Sequence, residues 1–128
     1  MTKRNRRFKL DLDLRVTIDG QVLIGPIQAM LLEAIRRTGS ISAAHRELGI
    51  TYAHVWKLVT AMNRVFSPPL VNSIRGGAKG GGALLTQQGH KVLSSYRRME
   101  ELLRDLARTE LLVIGRAVSQ VGERLDIP

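Results

Sequence analysis

Two glycines, Gly39 and Gly49, stand ten residues apart, and each is followed within two residues by a hydroxyl side chain, Ser40 or Thr51. Glycine takes positive φ without steric cost and so closes a helix, whereas Ser and Thr accept the free amides at the start of the next. This punctuation leaves room only for short turns, so residues 26–66 are restricted to three closely connected helices. The first opens at Pro26, a residue suited to a first helical turn, and runs to about residue 37 with Ile27, Met30, Leu31, Ala34 and Ile35 at helical spacing. The second starts at Ser40 or Ser42 and reaches Leu48. In the third, capped by Thr51, the apolar residues Tyr52, Val55, Val59, Met62 and Phe66 share one face before Ser67-Pro68-Pro69 stops the helix. Trp56 lies beside that stripe, and core packing is expected of Tyr52 and Trp56 ahead of base stacking. The opposite face, with Ala53, His54, Lys57, Thr60, Ala61 and Arg64, is small, polar and basic.

Short β elements flank these helices. Leu10, Leu12, Leu14, Val16 and Ile18 alternate with polar residues, the period of a half-buried strand. Asp19-Gly20 is hairpin turn chemistry, and Gln21 to Ile24 can return as a second strand. Further on, Leu70 to Ile74 and Ala83 to Leu85 bracket Gly76-Gly77-Ala78-Lys79-Gly80-Gly81-Gly82, which predicts a β-hairpin with a glycine tip. Thr86 then caps a long last helix to about Ala117. Its stripe of Val92, Tyr96, Met99, Leu103, Leu106 and Val113 is interrupted at Glu110. At 128 residues the chain reads as one domain over residues 10–120, with that helix over about 86–118, a basic flexible arm before it (1–9) and a tail after it (121–128).

Charge narrows the function. The chain holds 20 Lys and Arg against 11 acids, and residues 1–91 carry the whole excess, 14 bases to 5 acids, while residues 92–128 are balanced at 6 and 6. A polyanionic partner follows, because neutralising phosphates releases condensed counterions. With no cysteine, disulfides, thiolate metal sites and thiol nucleophiles are excluded. The three histidines, 45, 54 and 90, are too scattered for a metal site, and Asp11 and Asp13 lack a catalytic companion nearby. The glycine loop fails as a nucleotide cradle, since Lys79 is followed by Gly80-Gly81 without a Ser or Thr. No cofactor and no enzymatic activity are expected. The opening MTKRNRRFK leads into LDLDLRVTID rather than an apolar run, so a cytoplasmic protein without membrane span is expected.

Helix, glycine turn, two-faced helix and basic hairpin together make a mainly α fold with small β elements, the winged helix-turn-helix. Its third helix would enter the major groove of double-stranded DNA. Ala53, His54, Lys57 and Arg64 would face the bases, with Thr51 and Tyr52 entering first, while Ser40, Ser42, Arg75 and Lys79 would hold phosphates. The arm residues Lys3, Arg4, Arg6, Arg7 and Lys9 either follow a minor groove or form a solvated tail. The stripe Val92, Tyr96, Met99, Leu103, Leu106 and Val113 would pair two copies into a homodimer, the alternative being a closing element of the same chain. A non-regulatory architectural DNA-binding or protein-interaction module is the alternative function for the same fold.

GSISAAHRELGITYAHVWKLVTAMN (Gly39 to Asn63) followed by GGAKGGGALLTQQG (Gly76 to Gly89) resembles the DNA-binding domain of the ModE-type molybdate-responsive repressors and, more distantly, of LysR-type regulators. The resemblance covers about residues 10–115. It implies a winged helix with a dimerising last helix and a transcriptional regulator associated with molybdenum genes. His45 departs from the family pattern, standing where a small residue is usual between the two motif helices, so looser or shifted packing is expected there. The molybdate-binding β-barrel domains of that family have no counterpart in these 128 residues, so molybdate binding is not expected of this chain.

Overall fold

A computed structural model describes residues 5–74, 82–118 and 124–126, the side chains of 5–7 and 124–126 excepted. The tip residues Arg75 and Lys79, and Lys3 and Arg4 of the arm, lie outside the described residues. The fold is a winged helix, mostly helical with small β-hairpins.

The chain divides into two compact units, residues 13–97 and residues 1–12 with 98–128. In the first, β2 (Val16–Ile18) and β3 (Gln21–Ile24) form an antiparallel hairpin. Asp19 and Gly20, at φ of 49° and 81°, make its two-residue turn. Helix α1 (Pro26–Thr38) follows, and Gln28 Oε1 accepts the Gly25 amide at 3.0 Å to close its first turn. Gly39 at φ 68° ends α1, and Gly49, at the same angle, ends α2 (Ile41–Leu48). The wing is an antiparallel pair, β4 (Val71–Ile74) with β5 (Gly82–Leu85), in which Val71 faces Leu85 and Ile74 faces Gly82. Between α2 and the wing runs α3 (Tyr52–Val65). A last helix, α4 (Gln87–Ala117), spans about 46 Å at 1.5 Å per residue. Its cap is the Thr86 hydroxyl oxygen, which accepts the Gly89 amide at 2.9 Å.

The core of this unit joins Leu31, Leu32 and Ile35 of α1 to Ile41, Val55, Leu70, Leu93 and Tyr96, all fully buried. Three expectations change. Met30 is exposed and Ala29 and Leu32 are buried instead, so the inner face of α1 is rotated from the one read off the spacing. The long half-buried strand shrinks to Val16–Ile18, all three exposed, because among the described residues β2 pairs only with β3 and the hairpin sends Ile24 into the core. Tyr96, expected in the dimer seam, is 1% exposed, and its hydroxyl donates to the Leu14 carbonyl at 2.8 Å. That side chain is already spent inside its own chain, which removes it from any seam.

In the second unit, Leu10 and Leu12 are half-buried and alternate with exposed Lys9 and Asp11 without strand pairing. Part of the expected arm and of the expected tail is ordered as a strand pair: β1 (Asn5–Arg7) runs parallel to β6 (Arg124–Asp126), Asn5 facing Arg124 and Arg7 facing Asp126.

Candidate nucleic-acid interface

The exposed basic surface grows from the two capped helices. Ser40 Oγ accepts the Ala43 amide at 3.0 Å, and Thr51 Oγ1 accepts that of His54 at 3.0 Å, so each hydroxyl satisfies an amide that a helix start leaves free. From there the phase of α3 is set by Val55, Val59 and Met62, which are buried. Tyr52, Ala53, His54, Lys57, Thr60, Ala61 and Arg64 are consequently exposed. On α2 the exposed Ser42 accepts a hydrogen bond from Arg46 Nη1 at 3.2 Å.

Tyr52 is 49% exposed instead of buried. At the first position of α3 it lies beyond the reach of the core and stands edge-on to His45 and to Trp56, ring centroids 5.8 and 6.2 Å apart. Trp56 packs half-buried against the core, as its phase requires. Ile41 and Ala44 are the buried α2 residues, and the half-buried His45 turns its ring to the connection, Nδ1 lying 3.1 Å from the Ile50 carbonyl.

Two further residues bear on this surface to which the sequence pattern assigns no role. Arg46, four residues after Ser42 and one turn along the same face, adds a cation to the α2 side; its spacing from Ser42 is the available signal. Asn63 of α3 bonds the backbone of Leu70 and Val71, a contact for which the sequence holds no signal. Among the described residues no His, Cys, Asp and Glu cluster could hold a metal, and no helix is long and apolar enough to cross a membrane.

Residues 28–90, which hold most of α1, then α2 to β5 and the start of α4, match the family described as bacterial regulatory helix-turn-helix protein, lysR family. This segment is a LysR-type helix-turn-helix domain. The family of the LysR-type domain is regulatory and not enzymatic. The chain is similar to the molybdenum-pterin-binding protein MopB of Rhodobacter capsulatus, 47% identical over 77 residues, covering 60% of this chain and 28% of that protein. It is similar to the molybdenum transport protein ModE of Azotobacter vinelandii, 35% identical over 88 residues, covering 67% and 33%. To the DNA-binding transcriptional dual regulator ModE of Escherichia coli K12 it is 30% identical over 89 residues, covering 70% and 34%. These matches thus span about a third or less of each relative. The fold around the LysR-type domain is also that of Streptococcus pneumoniae FabT, solved in complex with DNA, with a TM-score of 0.52 at 16% identity, covering 73% of this chain and 69% of FabT.

Proposed function

We propose that the protein is a cytoplasmic, sequence-specific DNA-binding transcriptional regulator of the ModE kind that binds an inverted repeat as a homodimer and acts on molybdenum-related genes. One observation carries the reading: the outer face of α3 is wholly exposed, bears Lys57 and Arg64 without an acid, and starts at a capped turn. A helix with such a face fits the major groove, where short side chains allow close approach and His54 and Lys57 reach base edges. Thr51 and Tyr52 enter first, Ala53 lies against the groove, and Ser40 and Ser42 with Arg75 and Lys79 contact phosphates. ModE of Escherichia coli is described as a DNA-binding transcriptional dual regulator, and FabT was solved with DNA, which supports the same partner here. Dimerisation would use Met99, Leu103, Leu106 and Val113 of α4, all exposed, with the half-buried Val92 at the margin. A two-fold pair would set its recognition helices about 34 Å apart or a multiple of that, which calls for an inverted repeat.

The test is selection of duplexes from a random pool followed by binding measurements. Specific binding should exceed that to random DNA by more than ~10³, and a ratio near one would leave an architectural module. His54→Ala with Lys57→Ala should weaken binding to the selected duplex by ~1 to 3 kcal/mol for each base edge no longer read, and should relax its preference at particular positions. Unchanged specific binding in that double variant would sink this orientation of α3.

A further inference from the structure

Asn63 sits in the last turn of α3, half-buried, and all three of its hydrogen bonds go to the start of the wing. Its Nδ2 donates to the Val71 carbonyl at 2.9 Å, and its Oδ1 accepts the amides of Leu70 and Val71 at 2.9 and 3.1 Å. A carboxamide offers two donors and an acceptor with two lone pairs, so three of its four sites are used on the backbone of one neighbouring element. An apolar side chain of that size could fill the space, but it would leave the direction of the strand unspecified. Directed bonds to three backbone atoms specify it.

The other wing strand is tied elsewhere. The Ala83 amide donates to the Gly39 carbonyl at 3.1 Å, and a Cβ on Gly82 would stand 2.9 Å from that oxygen, so only glycine allows the approach. The Thr86 amide donates to the Leu70 carbonyl at 2.9 Å. Neither of these ties involves α3. Among the described residues, Asn63 is the side chain that hydrogen-bonds α3 to the wing.

We propose that Asn63 is a positioning residue that holds the β4–β5 hairpin at a set angle to α3, so that one duplex meets both elements without either being reordered, a role that rests on the DNA-binding reading above. Two contact regions held in their bound arrangement lose less freedom on binding than two that move independently. Base contacts by α3 and backbone contacts by the wing must be made together, at the spacing of the groove wall from its floor.

The absence of cysteine allows a direct measurement. Spin labels at Thr60→Cys and Leu84→Cys, both exposed positions, report the distance between α3 and β5. With Asn63 present the distance distribution should be narrow. With Asn63→Ala or Asn63→Leu it should broaden while circular dichroism and the melting transition still report a folded protein, and affinity for a duplex selected by the wild-type protein should fall about tenfold, in line with roughly one net hydrogen bond's worth of fixed geometry. A distribution that stays narrow in both variants overturns the proposal, and so does a broadened one with wild-type affinity. If the wild-type protein selects no duplex, the DNA-binding reading and the coupling to DNA fall together, and the distance distributions alone decide whether Asn63 holds the hairpin. Should neither variant fold, amide exchange in the wild-type protein decides: Leu70 and Val71 should be protected, and exchange at the rate of an unstructured peptide overturns the proposal.

Discussion

Apolar stripes of like spacing run along α3 and along the far part of α4, yet Val55, Val59 and Met62 of α3 are buried whereas Leu102, Leu103, Leu106, Val113 and Ile114 of α4 are exposed. Within α4 itself Leu93 and Tyr96 are buried, and Met99, three residues on, is not. A monomer seldom keeps several neighbouring apolar residues in water unless another surface covers them. Leu102 and Ile114 widen the face beyond the residues proposed for dimerisation. An apolar period therefore states that residues share a face, and burial by a particular neighbour has to be learned separately. The same helix can serve as core at one end and as a docking face at the other.

Breaking the closed end should have the largest effect. Tyr96→Ala removes a fully buried ring and its 2.8 Å bond to Leu14, and should cost roughly 3 to 5 kcal/mol in denaturant unfolding, as large aromatic truncations do. A loss below ~1 kcal/mol would mean that the ring is not held in the core. At the open end, Leu106 is 80% exposed, so Leu106→Glu should leave the fold of the single chain intact while opposing a dimer that would bury the side chain at ~1.5 to 3 kcal/mol per copy. Light scattering at micromolar concentration should show the wild-type protein at twice its 14.2 kDa and the variant at that mass. A monomeric wild-type protein would remove the dimer and with it the inverted repeat.

The smallest effect concerns an exposed polar tie between two helices of the first unit, the fork of Arg37 in α1 on Glu47 in α2. The Arg37 hydrogen bonds, with its charge, hold the Glu47 carboxyl below its ordinary pKa and raise that of Arg37. A depressed carboxyl contributes stability above its unfolded pKa, ~4.3, and loses it as pH falls through the lower folded value. Wild-type stability should therefore decline more steeply than that of Glu47→Gln in that acidic window. Both groups are exposed, so solvent and salt screen the pair and the difference should shrink in high salt. Parallel stability curves at low salt would show that the fork adds nothing.

Where the sequence was legible, the deciding bonds close within a few residues. Gly39 and Gly49 at positive φ, the Ser40, Thr51 and Thr86 caps and the Asp19-Gly20 turn all involve near neighbours, so the helix limits and the exposed basic face of α3 could be read from residue types alone. Tertiary structure decided what covers each face. Three residues along a helix advance about 300°, so Tyr96 and Met99 differ by about 60° in phase, and that angle separates a buried ring from an open stripe. The exposure of Tyr52 and Met30, and the grip of Asn63 on Leu70 and Val71, depend likewise on partners brought close by the fold. Periodicity in one chain segment holds no record of what lies against it, because that neighbour is chosen by the packing of every other element.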